Sequence, residues 1–122
     1  MSTGLSSSYA QTLVAKANFD HRTTPTEKLT PQPRTVEQLL QQAGELLELG
    51  KYSEAIAFLD LILELQPDSF LAWYWRGNSF ASLGQYETAI SSYDQALKIK
   101  PNYFLAWFER RVLLIFLLIS GL

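Results

Sequence analysis

From Thr35 onward, apolar residues recur three and four positions apart, the spacing that gathers them on one face of a helix, and Gly50 and Gly84 interrupt the rhythm. Glycine at those places can take the left-handed conformation that closes a helix C-terminus. Pro67 and Pro101 stand just past the next apolar runs, where a missing N–H does least harm. Thr35 followed by Gln38 suits a capping box. These marks predict helices near 36–49, 52–65, 70–83, 86–99 and 104–119, and so an all-α fold.

The rhythm is missing before Thr35. Met1 to Arg34 is rich in Ser, Thr, Gln and Pro, and Pro25, Pro31 and Pro33 forbid a continuous helix there. With few large apolar residues to bury, 1–34 reads as a disordered N-terminal arm. Tyr9, Leu13 and Ala17 share a face, but an isolated helix of that length is marginal in water. Met1 to Asp20 holds no apolar run long enough for a secretory leader, and its Ser/Thr content with few acids only faintly suggests an organellar transit segment.

Written at a period of 34, the chain repeats itself. Gly50 falls over Gly84, Tyr52 over Tyr86, Ala55-Ile56 over Ala89-Ile90, Asp60 over Asp94, Leu63 over Leu97 and Pro67 over Pro101. Phe70-Leu71-Ala72-Trp73 returns as Phe104-Leu105-Ala106-Trp107. The expected domain, 35–122, therefore holds two full copies, 36–69 and 70–103, and a partial third copy or capping helix, 104–122. Each full copy reads as two helices joined by a tight turn. Small residues at Ala43, Gly77, Ala55 and Ala89 let the paired helices approach closely, and larger ones fill the gaps between pairs. A single pair cannot bury its faces, so the copies must stack as an α-solenoid.

The chain resembles the tetratricopeptide repeat family at these positions. The second copy carries Trp73, Gly77, Phe80, Gly84, Tyr86, Ala89, Tyr93, Ala96 and Pro101 where the family pattern asks. The first offers Leu39, Ala43, Leu46, Gly50, Tyr52, Ala55, Leu59, Ile62 and Pro67, with only Ile62 larger than the usual alanine. The resemblance, over roughly 35–111, implies a non-enzymatic adaptor that binds a protein or peptide partner in a concave groove lined by the first helix of each pair. The groove-facing places hold Glu37, Leu40, Gly44, Leu47 and Glu48, then Leu71, Tyr74, Asn78, Ala81 and Ser82. Family members that grip a chaperone's C-terminal carboxylate use basic groove residues beside an asparagine. Asn78 matches here, whereas Leu40, Tyr74 and Glu109 do not, which disfavours a chaperone partner. Asn78 is instead expected to meet the backbone of an extended or helical peptide, with Tyr74 and Leu71 giving apolar contact.

The third copy departs from the pattern. Arg111 occupies the place of Ala43 and Gly77, and Val112 to Ile119 is apolar on every face, unlike a cap with a polar outer side. A missing partner helix of a longer array, a second copy of this protein, a lipid surface or a binding partner could cover it. Leu114, Phe116 and Leu117 are the candidate self-association residues. Eleven residues from Val112 to Leu122 fall short of the roughly 20 that span a bilayer, leaving at most peripheral membrane contact.

Composition narrows the chemistry. Hydrophobic residues make up 48% and charged residues 18%, and the net charge of -2 gathers no nucleic acid. The absence of cysteine removes disulfides and thiol chemistry and suits a cytoplasmic setting. His21, the one histidine, lies in the arm, so neither a catalytic triad nor a multi-histidine metal site can be built, and no cofactor is expected. In the first copy Glu37, Glu45, Glu48, Glu54, Asp60, Glu64 and Asp68 face one base, Lys51, and seven minus one leaves a local charge of -6. That excess reads first as a solvated face, second as a means of steering a basic partner, and only remotely as carboxylate-pair hydrolysis. Trp73 and Trp107 fall at the repeat's core position. Trp75 lies about 200° around the helix from Trp73, either exposed as an anchor or half-buried against a neighbouring helix.

Overall fold

A computed structural model of the chain describes residues 34–121, and these form five helices: α1 (Val36–Glu48), α2 (Tyr52–Leu65), α3 (Phe70–Ser82), α4 (Tyr86–Ile99) and α5 (Phe104–Ser120). The expected arm, its short helix at Tyr9–Ala17 and His21 lie outside the described residues. The chain is all-α, and each helix packs against the one that follows it. The expected limits hold to one residue at each end: α1 and α3 stop one residue early, and α5 continues to Ser120.

The caps are those that the sequence signals. The Thr35 hydroxyl accepts from the Gln38 backbone N–H at 3.1 Å, and the Gln38 side chain accepts from the Thr35 N–H at 2.9 Å. Gly50 and Gly84 have φ of 74° and 81°, a conformation in which a Cβ would clash with its own carbonyl. Each glycine lets the chain fold back so that the next N–H reaches into the last turn: Lys51 N donates to Leu46 O, and Gln85 N to Phe80 O, both at 2.9 Å. The same closure at both glycines sets two alike hairpins, α1–α2 and α3–α4.

The buried side chains form two clusters. Leu39, Ala43, Phe58, Leu59, Ile62 and Ala72 tie the first hairpin to α3. Tyr74, Ala89, Tyr93, Ala96, Leu97, Ala106 and Leu113 tie the second hairpin to α5. The departure at Ile62 is accommodated inside the first cluster, where the side chain is fully buried. Ala43 shares the first cluster with Leu59, whereas at the matching place Gly77 lies beneath the ring of Tyr93. The residue that loses a methyl admits a larger neighbour.

An ion pair recurs at the 34-residue offset. Arg76 donates to Asp60 at 2.9 Å, from α3 back to α2, and Arg110 donates to Asp94, from α5 back to α4. The indole N–H of Trp73 donates to Pro67 O at 2.9 Å, and that of Trp107 to Pro101 O at 2.7 Å. In both copies the arginine lies over its tryptophan ring. These contacts fix the angle at which each hairpin receives the next helix.

α5 buries only Ala106 and Leu113 along its length. One expectation about it needs correction. Trp107, expected in the core, is 47% exposed, whereas its counterpart Trp73 is half-buried. The reason is positional: α4 covers the matching face of α3, and no described element covers that face of α5.

Candidate functional site

The groove-facing places fall on α1 and α3, which meet where the Trp75 indole lies over Gly44. A Cβ added at Gly44 would stand 3.3 Å from the edge of that ring. Trp75 is thus half-buried between the two clusters rather than free on the surface. On α1, Glu37 and Glu48 are exposed, and Leu40 and Leu47 are half-buried. On α3, Ser82 is exposed, and Leu71, Asn78 and Ala81 are half-buried.

Tyr74 differs from the expectation. Only 8% of it is exposed, and its ring packs edge-on to Tyr103 at 5.1 Å and tilted against Tyr93 at 5.8 Å. It belongs to the second cluster, because Tyr103, the last residue of the second copy, folds in over it. At the matching place of the first copy Ser69 caps α3, its hydroxyl accepting from Ala72 N at 3.2 Å. The second copy has Tyr103 there, and α5 has no side-chain cap. A capping hydrogen bond has been exchanged for aromatic contact with Tyr74 and with Phe70, the latter at 5.0 Å.

Asn78 is likewise engaged. Its Oδ1 accepts a 2.6 Å hydrogen bond from the Tyr93 hydroxyl, which fixes the orientation of the amide. Burial raises the pKa of both Tyr74 and Tyr93. The carboxylate of Glu109 raises both further, while a hydrogen bond between Asn78 and Tyr74 partly opposes the shift at Tyr74. Tyr74, Asn78, Tyr93 and Glu109 therefore form one polar cluster at the junction of α3, α4 and α5. The raised values keep both phenols protonated at neutral pH, beside the Glu109 side chain.

Sequence reasoning missed this cluster and the Arg76–Asp60 and Arg110–Asp94 pairs. The pairs had a legible signal, since Arg76 and Arg110 stand 34 apart, as do Asp60 and Asp94. The cluster had none, because it joins residues unique to the second and third copies. Of the self-association candidates, Leu114 and Phe116 are exposed and Leu117 is half-buried, and Phe116 touches Tyr86 edge-on at 5.1 Å. No group of three or more His, Asp or Glu among the described residues is placed to hold a metal ion.

Paired helices closed by left-handed glycines, stacked through recurring ion pairs at a fixed offset, define a helical-hairpin repeat protein. Comparison with protein families gives the same class: the model described as tetratricopeptide repeat matches residues 70–103, and the protein prenyltransferase alpha subunit repeat model matches residues 52–83. Residues 70–103 thus match a tetratricopeptide repeat, and the hairpin stack as a whole is tetratricopeptide-like. A search of curated proteins finds no match to it.

Proposed function

We propose that residues 35–122 form a non-enzymatic adaptor unit that binds a segment of a partner protein across the first helices of its hairpins. Repeats of this class generally mediate protein–protein interaction and are typically non-catalytic. The supporting observation is the character of the face shared by α1 and α3. Half-buried Leu40, Leu47 and Leu71 offer apolar contact, and exposed Glu37 and Glu48 lie beside them on α1. Glu109 adds a negative charge at the far side, and no base occupies any of the groove-facing places. That combination suits a basic, amphipathic peptide better than one ending in a carboxylate. No helix among the described residues is long and apolar enough to cross a membrane, and the adaptor is read as acting in the cytoplasm.

Fluorescence anisotropy with a labelled Leu/Lys amphipathic peptide and a Leu/Glu counterpart tests the reading. The basic peptide is expected to bind, and Glu37→Lys with Glu48→Lys to weaken it about tenfold, or ~1.4 kcal/mol. Equal binding of both peptides, or an unchanged affinity after the charge reversal, would refute it.

A further inference from the structure

The most unusual surface on the molecule is that of α5. Phe104, Leu105, Trp107, Phe108, Val112, Leu114, Ile115, Phe116, Leu118 and Ile119 are all exposed, Leu118 to 70%. At 40–70% exposure each, and with large side chains offering about 150–250 Å², these ten residues present on the order of 1,000 Å² of apolar surface. The largest apolar patch on a typical soluble monomer is about 300–600 Å². A stable protein pair buries about 800 Å² on each partner. The patch is too large to be left in water and large enough to hold a dimer.

Its shape narrows the choice of occupant. At 100° per residue, Ala106, Leu113 and Leu117 point into the molecule, and the outermost line runs through Phe104, Phe108, Arg111, Ile115, Leu118 and Ile119. A helix seated on α5 as α4 sits on α3 would need a small residue at 111. At the matching Gly77, an added Cβ would already lie 2.5 Å from the Tyr93 ring. Arg111 excludes that close approach and calls for a helix held farther off by long side chains. A lipid surface gains little from charge, since α5 carries only Glu109, Arg110 and Arg111, and two bases minus one acid leave a local charge of +1.

We infer that the occupant is a second copy of this chain, with α5 pairing antiparallel against α5 of the partner and crossing at Ile115. A two-fold axis there makes the interface self-complementary. It sets Val112 of one copy near Leu118 of the other and Ile115 against its own counterpart. Arg111 falls beside Ile119 of the opposite helix, where its stem covers apolar surface and its guanidinium reaches water. The two arginines are thus kept apart rather than opposed. This pairing adds a second function, bringing two adaptor units together, and does not depend on what the α1–α3 face binds.

Sedimentation equilibrium and light scattering on the full chain, without detergent, test the inference. The chain is expected at twice its 13.9 kDa mass at micromolar concentration. Ile115→Asp, which alters a side chain on the outermost line of α5, is expected at the single mass with unchanged far-UV circular dichroism. Because the chain has no cysteine, Ile115→Cys is also expected to link to its own counterpart on mild oxidation, whereas Lys98→Cys on exposed α4 is not. A monomeric full chain, open-ended aggregation, a dimer unaffected by Ile115→Asp, equal cross-linking at 98 and 115, or capture by anionic vesicles in place of dimerisation would each overturn it.

Discussion

Gly77→Ala is the sharpest test of how this chain packs, because helix propensity and packing predict opposite signs. In a solvent-facing helix the change would stabilise by about 1 kcal/mol, as alanine restricts the unfolded backbone. Here the new Cβ would lie 2.5, 2.6 and 3.0 Å from three ring atoms of Tyr93. The ring has little freedom to withdraw: it is fully buried, Asn78 holds its hydroxyl at 2.6 Å, and Tyr74 flanks it at 5.8 Å. Inserting a methyl into such a core costs about 1–3 kcal/mol or more. With the propensity gain set against a cost near the upper end, the net is about 1–2 kcal/mol of destabilisation.

With a denaturant slope of about 1–2 kcal/mol per molar urea for a domain of this size, the unfolding midpoint should fall by roughly 1 M. The first copy suggests the rescue, since there Ala43 lies in one cluster with Leu59, the counterpart of Tyr93. Gly77→Ala combined with Tyr93→Leu should therefore be more stable than the two single losses added together, with a coupling of about 1 kcal/mol or more. Urea titrations of the four proteins, followed by far-UV circular dichroism, complete the cycle. A neutral or stabilising Gly77→Ala, or strictly additive losses, would refute the packing account.

Three further outcomes are expected. Arg76→Gln should cost about 1 kcal/mol or more, because its Nη1 also donates to buried Ser92 at 2.8 Å; Arg110→Gln, which loses a half-exposed pair with Asp94 and its place over the Trp107 ring but no buried hydrogen-bond partner, should cost less than Arg76→Gln, and equal losses in urea titrations would contradict this. Gly84→Ala should destabilise by about 1–2 kcal/mol without a steric clash, because nothing lies within 4 Å of the added Cβ and the cost is conformational alone; an unchanged melting temperature would refute it. Tyr74 and Tyr93 have folded pKa values above the usual 10.0, so the folded state holds its protons longer, stability is unaffected below that pH and falls as pH rises above it, and Tyr93→Phe should flatten the slope seen in alkaline unfolding titrations.

What could be read from the sequence was whatever repeats. Gly50 and Gly84, Thr35 with Gln38, and the small residues Ala43 and Gly77 each carry a local or periodic signal, and the helices and hairpins follow from them. The fate of Tyr74 and Asn78 was not readable in the same way. Both stand at groove-facing positions by register, yet Tyr103 covers the first and Tyr93 holds the second, and neither neighbour is set by the 34-residue period. Periodicity gives the direction in which a side chain points. It does not give what comes to meet it, and here Tyr103 and Tyr93 belong to the same copy, at places where the first copy has Ser69 and Leu59.

The same distinction explains why α5 departs from the helices it copies. Its inward side keeps the repeat chemistry: Ala106 and Leu113 are buried, Arg110 pairs with Asp94, and Trp107 still donates to Pro101. Its outward side has abandoned that chemistry, with Arg111 in the place of the small residue and Val112, Ile115 and Phe116 where α3 has Asn78, Ala81 and Ser82. A helix that merely continued the stack would need a small residue at 111, and one that merely ended it would carry polar residues outward. Satisfying neither requirement while retaining the inward contacts is what an interface helix must do: hold its position on α4 and leave apolar surface for a second chain.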